Sequence, residues 1–217
     1  MRKNSVHPAR FCRHRSDGRK GAVLYIHGKG GCAAECEHYR PLFPDHDVFG
    51  LDYQTFTPWE TGAEIRAAAE ELRTGSESII LIANSIGALF SMHAGIDRLI
   101  DKAYFISPIA DMEKLIRDMM VWANVTEAEL QSKGTVHTAF GEDLSWEYLR
   151  YVRDHPVEWT APTQILYGSR DNLTMLETIR DFAKKHNALL TVMEGGEHWF
   201  HTEEQMRFLD EWIRRGS

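Results

Sequence analysis

Short apolar runs alternate along the chain with longer stretches in which apolar residues recur at helical spacing. Several runs are apolar throughout rather than at every second position, which is typical of parallel strands covered on both faces. The predicted strands are Ala22–Ile26, Asp47–Leu51, Ser78–Ala83, Lys102–Ile106, Thr163–Tyr167 and Leu189–Met193. This alternation predicts an α/β fold with a mostly parallel central sheet and helices on both faces.

Four stretches between the strands begin with Thr-x-x-Glu or Thr-x-x-Gln, the pattern of a helix capping box. They start at Thr57, Thr126, Thr174 and Thr202. Pro58 follows Thr57 at the first helical position, where its missing N–H costs nothing. The first of these patterns therefore predicts a helix from Thr57 to about Arg73.

The segment 108–162 shows helical pattern and no strand pattern. Its predicted helices are Met112–Val121, Thr126–Gln131 and Trp146–Arg153. A single crossover needs far fewer residues. We expect one domain over residues 1–217, with a helical cap or lid inserted at about 108–162; ordinary crossover helices are the alternative.

The composition is that of an ordinary globular protein, with 217 residues, 43% hydrophobic and 26% charged. No apolar stretch approaches the roughly 18 residues of a membrane span, and the first twenty residues lack the apolar core of a signal peptide. Three cysteines, an odd number, favour reduced thiols and a cytoplasmic location.

The formal charge of −7 is unevenly distributed. Residues 1–20 carry seven basic side chains and one acid, so the rest of the chain carries −13. An acidic body disfavours binding to a nucleic-acid backbone. We interpret the basic start as a solvated leader strand, and we expect no nucleic-acid partner.

A strand runs directly into Ala83-x-Ser85-x-Gly87 and then into a helix of small and apolar residues. This context is required by a nucleophile elbow, the sharp strand-to-helix turn that exposes a serine hydroxyl. Small residues two before and two after Ser85 avoid clashes in the turn. Alanine replaces the usual glycine at the first of these positions.

The run His27-Gly28-Lys29-Gly30-Gly31 also follows a strand. It resembles the oxyanion-hole loop of α/β-hydrolases, whose glycines let backbone amides point at a developing negative charge. The resemblance implies that the backbone N–H groups of Lys29 and Ile86 are the donors. His27, Gly28 and Gly30 would support the loop.

The same loop allows a second interpretation. Gly28-x-Gly30-x-x-Ala33, with Asp52 about twenty residues later, fits the dinucleotide-binding fingerprint. The fingerprint does not account for the motifs further along the chain, and no Tyr-x-x-x-Lys is present. We therefore rank nucleotide binding well behind the interpretation of this loop as an oxyanion hole.

Two further motifs follow the last two strands. Gly168-x-x-Asp171 resembles the turn that carries the acid of an α/β-hydrolase triad, with Asp111 as the reserve candidate. His198 lies after Gly195-Gly196 with aromatic residues beside it, a suitable place for a mobile general base. His201 could substitute for His198.

Ser85, Asp171 and His198 occur in the chain order of α/β-hydrolases, each just after a predicted strand. The resemblance is to the serine esterase- and lipase-like members of that superfamily and covers the chain from Ala22 onwards. It implies hydrolysis of a small or medium neutral carboxylic ester through an acyl-enzyme, with no cofactor. Cys32, Cys36 and His38 provide three ligands without a fourth, so we expect no metal site.

The tryptophans Trp122, Trp146 and Trp199 are candidates for an apolar substrate pocket, with core packing as the alternative. Other reactions of the same triad remain open, namely hydrolysis of a thioester, peptide or carbon–carbon bond. A non-catalytic binding protein of related architecture is a less favoured possibility.

Overall fold

The computed structural model describes residues 11–13 and 21–216, and it contains a seven-stranded sheet. The strands are β1 (Phe11–Arg13), β2 (Gly21–Ile26), β3 (His46–Leu51), β4 (Ser78–Asn84), β5 (Lys102–Ile106), β6 (Thr135–His137), β7 (Asp143–Ser145), β8 (Thr163–Gly168) and β9 (Leu189–Met193). In the main sheet their order is β1-β3-β2-β4-β5-β8-β9, while β6 and β7 pair separately. Within the main sheet only β1 is antiparallel to its neighbour, so the predicted six parallel strands are confirmed.

In the described ranges, seven α-helices accompany these strands. They are α1 (Pro58–Gly75), α2 (Ile86–His93), α3 (Met112–Trp122), α4 (Glu127–Lys133), α5 (Trp146–Asp154), α6 (Leu176–Lys185) and α7 (Glu203–Gly216). Short 3-10 helices span Ala33–Leu42 and Asp97–Leu99. None of the helices in the described ranges is long and apolar enough to cross a membrane.

Three of the four predicted helix caps are confirmed. The hydroxyl oxygens of Thr57, Thr126 and Thr202 each accept a backbone N–H from the residue three positions later. The prediction at Thr174 is wrong, because α6 begins at Leu176 with Met175 before it. Thr174 Oγ1 instead donates to Asp171 Oδ2 at 3.2 Å.

Helices cover both faces of the sheet. Alternate residues of β2 enter two different cores, because successive side chains of a strand point to opposite faces. Leu24 packs with residues of α1 and α2, whereas Tyr25 packs with the 3-10 helix Ala33–Leu42 and with α7. Burial on both faces explains why these strands are apolar throughout.

The segment between β5 and β8 contains α3, α4, the β6–β7 hairpin and α5. The expectation that it lacks strands is wrong. Each hairpin strand has only three residues, too few for an alternating pattern to be visible in the sequence. Arg153 on α5 binds Glu113 and Glu127 at 2.9 and 2.7 Å, which joins the three helices of the segment.

Candidate active site

Ser85 lies at a sharp turn between β4 and α2, as the motif predicts. Its backbone is strained, with φ 49° and ψ −119°, values that a non-glycine residue adopts only when the surrounding structure imposes them. Two hydrogen bonds hold the turn in place: Ser85 N–H donates to Ile106 O at 2.9 Å, and Ile109 N–H donates to Ser85 O at 3.1 Å. The end of β5 and the loop that follows it therefore fix the serine.

The glycine two residues after Ser85 is required by close packing. A Cβ atom on Gly87 would lie 2.4 Å from His27 O and 2.8 Å from Ile26 O. No side chain fits at that distance. Gly87 therefore lets the start of α2 pack directly against the loop that follows β2.

His198 joins the serine to a carboxylate. Its Nε2 lies 2.8 Å from Ser85 Oγ, and its Nδ1 lies 2.7 Å from Asp171 Oδ2. Because an ionised carboxylate only accepts hydrogen bonds, Nδ1 carries the proton and Nε2 presents its lone pair to the serine hydroxyl. This tautomer is the one that a general base for Ser85 needs.

The Asp171 side chain is fully buried, and its carboxylate is surrounded by donors. Besides His198, it accepts the backbone N–H groups of Leu173 and Thr174 at 2.8 and 3.0 Å. Burial alone would raise the pKa of Asp171, but the hydrogen bond and charge of His198 and the two amides outweigh it and lower the pKa below its ordinary value. The carboxylate is therefore ionised at neutral pH.

The turn that carries Asp171 and the loop that carries His198 are bonded to each other through their backbones. Arg170 N–H donates to Gly196 O at 2.7 Å, and Ser169 N–H donates to Met193 O at 2.9 Å. A Cβ on Gly168 would lie 2.5 Å from the carbonyl carbon of Gly196. The acid turn and the histidine loop thus form one packed unit at the end of β8 and β9.

The loop after β2 forms a tight turn beside Ser85. Gly31 N–H donates to Gly28 O at 3.2 Å, and Gly30 adopts φ +78°, which glycine tolerates without strain. A Cβ on Gly28 would lie 3.3 Å from Ser85 Cβ. Lys29 is at the second position of this turn, so its backbone N–H takes no part in the hydrogen bond that closes the turn. Ile86 is the first residue of α2, and its N–H likewise has no acceptor within the helix.

His27 is 3% exposed, and its ring contacts its own loop and Tyr53. Its Nδ1 lies 2.8 Å from Gly28 O, and its ring stacks on Tyr53 at 4.0 Å between centroids. Tyr53 O–H also donates to His27 O at 2.7 Å. The sequence interpretation missed Tyr53; its place just after β3, at the carboxyl edge of the sheet, was the available signal.

The two reserve candidates, Asp111 and His201, are not part of the hydrogen-bond chain that joins Ser85, His198 and Asp171. Asp111 caps α3 by accepting Lys114 N–H at 2.8 Å, and His201 Nδ1 lies 2.7 Å from Trp199 O on the surface.

The strand order differs from that of the dinucleotide-binding fold, which was the alternative interpretation of the loop after β2. Numbered along the chain, the six parallel strands run 2-1-3-4-5-6, whereas that fold has 3-2-1-4-5-6.

The three predicted pocket tryptophans have different environments. Trp122 is 57% exposed at the end of α3 and its ring contacts Phe140, with centroids 6.3 Å apart. Trp146 is half-buried against the main core. Trp199, next to His198, is 74% exposed and stacks on His201. Within the described part of the chain, no three histidine, cysteine, aspartate or glutamate side chains are placed to hold a metal ion.

No family model and no curated protein match the chain. Its structure, however, resembles several solved ones. Est1E from Butyrivibrio proteoclasticus aligns over 91% of this chain and 87% of its own, with a TM-score of 0.73 and 18% identity. Mouse alpha/beta hydrolase domain-containing protein 10 aligns over 95% and 94%, with a TM-score of 0.70 and 18% identity.

A monoacylglycerol lipase from Paleococcus ferrophilus aligns over 96% of this chain and 99% of its own, with a TM-score of 0.64 and 17% identity. Sequence identity is low in all three cases, so what they share with this chain is the architecture. The chain has the α/β-hydrolase fold, as the motifs predict.

Proposed function

We propose that this protein is a serine hydrolase that cleaves small or medium neutral carboxylic esters through an acyl-enzyme on Ser85. The observation that carries the proposal is the continuous hydrogen-bond chain from Ser85 through His198 to the buried Asp171 carboxylate. The strained backbone of Ser85 supports it, since such strain concentrates at functional sites.

The reaction begins when His198 Nε2 takes the hydroxyl proton of Ser85 and Oγ attacks the ester carbonyl carbon. The backbone N–H groups of Lys29 and Ile86 stabilise the oxyanion of the tetrahedral intermediate. His198 returns the proton to the leaving alcohol, and an acyl-enzyme remains. Water, deprotonated by His198, then attacks the acyl carbon, and the acid leaves as Ser85 recovers its proton. Asp171 holds the imidazole and stabilises its cationic form.

The substrate class draws on the charge of the chain and on the structural relatives. A body with a net charge of −13 favours a neutral ester over a strongly anionic one. One relative, Est1E, has been solved with ferulic acid bound, and another is named a monoacylglycerol lipase. We therefore assign hydrolysis of carboxylic esters. The odd cysteine count separately supports a cytoplasmic location.

We assign residues 108–162 to a cap over the site. An ion pair between Lys29 and Glu142, in the turn of the β6–β7 hairpin, brings this segment against the proposed oxyanion loop. Trp122 and Phe140 are exposed neighbours in the same segment. This contact supports a role for the cap in substrate choice.

Labelling with a fluorophosphonate probe, followed by assay on esters of graded acyl length, tests the proposal. We expect wild-type protein to react and Ser85→Ala not to react, because only a serine activated by His198 attacks the probe. Ser91→Ala is the matched control, since Ser91 is buried in α2 and its hydroxyl donates to Gly87 O. Equal labelling of wild type and Ser85→Ala would overturn the assignment of the nucleophile.

A further inference from the structure

A second hydrogen-bond chain connects the 3-10 helix Ala33–Leu42 to the residue before Ser85. Tyr25 O–H donates to Glu35 Oε2, and Asn84 Nδ2 donates to Tyr25 Oη at 3.0 Å. Asn84 is the last residue of β4 and is peptide-bonded to Ser85. Glu35 is therefore linked through two side chains to the backbone that carries the serine.

The same carboxylate also holds the end of the loop 27–31. Glu35 Oε1 accepts the N–H of Cys32 at 3.3 Å. A Cβ on Gly31 would lie 2.9 Å from both carboxylate oxygens, so glycine leaves free the space in which the carboxylate lies. Because Gly31 N–H closes the turn around Lys29, Glu35 restrains the far end of that turn.

Tyr25 is suited to transmit this restraint. It is 1% exposed, and burial, with Tyr39 and Glu35 nearby, raises the pKa of its hydroxyl well above the ordinary value. The hydroxyl therefore stays protonated, donating to Glu35 while accepting from Asn84. Two donors, Cys32 N–H and Tyr25 O–H, bind the two carboxylate oxygens of Glu35. A glutamine at this position would have one acceptor oxygen and could not accept both hydrogen bonds in the same way.

Helix capping alone accounts for only part of this arrangement. Glu35 is the third residue of its helix, a position from which a glutamate commonly accepts the amide of the residue before the helix. Capping explains the contact with Cys32. It does not explain the contacts that join Glu35 to Tyr25 and Asn84.

We propose that Glu35, acting through Tyr25 and Asn84, is a positioning residue that sets the distance between the Lys29 amide and Ser85. This inference rests on the proposed function. Glu35 touches no reacting atom. It holds the Lys29 N–H and Ser85 at the distance from each other that the reaction needs. Its loss should therefore lower kcat and leave KM unchanged, because alignment matters in the transition state more than in the bound substrate.

The experiment compares Tyr25→Phe, Glu35→Gln and the double variant with wild type on one short ester. We expect each single variant to lose about tenfold in kcat, less than the roughly 10²–10³ that removal of an oxyanion donor costs. The double variant should be no slower than the worse single variant, since both changes break one path. Glu37→Gln, the same substitution on the same helix at a residue paired with Arg40, should keep wild-type kcat.

Tyr25→Phe separates positioning from capping, because it leaves the Cys32 contact intact. Unchanged kcat in Tyr25→Phe, or losses that multiply in the double variant, would overturn the proposal.

Hydrogen exchange of the peptide spanning residues 27–35 provides a readout independent of activity. We expect faster exchange in Tyr25→Phe than in Glu37→Gln, and equal exchange would also overturn the proposal. If wild type were neither labelled by the fluorophosphonate nor active, the proposed function would fail, and this exchange comparison would still decide whether the network holds the loop.

Discussion

Asp171 combines complete burial of its side chain with a lowered pKa. These two properties oppose each other unless the carboxylate is well supplied with donors. Here an imidazole, two backbone amides and the Thr174 hydroxyl supply them. The negative charge is consequently held in place opposite His198, where it would stabilise the imidazolium of the proposed mechanism.

Replacement of Asp171 by asparagine should reduce turnover by orders of magnitude, about 10⁴-fold as in the best-studied triad. The amide can donate to His198 and so favour the wrong tautomer. Steady-state kinetics of Asp171→Asn on a short ester measure the loss. Asp111→Asn is the matched control and should retain turnover, since Asp111 caps α3. Loss of activity in the control alone would identify Asp111 as the acid.

Sequence motifs located the residues of the proposed triad better than the residues that pack around them. Ser85 and Asp171 follow largely buried strands and His198 follows the partly exposed edge strand β9, each at a recognisable turn, so local sequence is enough to propose them. The proposed roles of Glu35 and Tyr53 rest on side-chain contacts with Tyr25 and His27 in another element, and no local pattern specifies that packing. Thr174 shows the same limit, because Asp171 takes the hydroxyl that local sequence assigns to a helix cap.

At the scale of elements, the site depends on the contact between the turn after β8 and the loop after β9. Gly168→Ala should lower both stability and kcat, because its methyl group must displace the backbone of Gly196. Overpacking of this kind costs about 1–3 kcal/mol. Urea denaturation and steady-state kinetics measure the two effects.

Gly195→Ala provides the comparison on the same loop. Gly195 has φ +76° and nothing within 4 Å of an added Cβ, so alanine there introduces backbone strain of about 1–2 kcal/mol but no clash. We expect its stability to fall while kcat stays closer to wild type. Equal losses of kcat in Gly168→Ala and Gly195→Ala would contradict a role for close packing.

Strands β2, β3, β4, β5 and β8 of the main sheet were predictable because they are largely buried on both faces and therefore almost continuously apolar. The edge strand β9 was predictable from its apolar residues although it is mostly exposed, and the three-residue β1 was not among the predicted strands. The β6–β7 hairpin was not predictable, since its strands are short and mostly exposed. The 3-10 helix Ala33–Leu42 was not predicted either: its buried residues Ala33, Cys36, Tyr39 and Leu42 recur at every third position, not at the 3.6-residue period of an α-helix. Elements at the periphery of a fold depend more on tertiary contacts than on local pattern.

At the scale of the whole molecule, the proposed cap should govern substrate choice. Trp122→Ala should change the preference for acyl length more than the activity on the shortest ester, since only a longer chain reaches an apolar side chain in the cap. A panel of esters measures the preference as kcat/KM. Val121→Ala is the control, because Val121 is the adjacent residue and is 77% exposed. An unchanged profile in Trp122→Ala would remove it from the proposed pocket.

The distribution of the site along the chain has a consequence for synthesis. His198 follows Ser85 by 113 residues. Ribosomes add about 5–20 residues per second and domains emerge from the N-terminus, so the serine precedes its base by roughly 6–23 s. During that interval the hydroxyl is an ordinary alcohol on a nascent chain. The proposed enzyme thus becomes reactive only when β9 and the loop after it have left the ribosome, and translation itself delays the appearance of an active nucleophile.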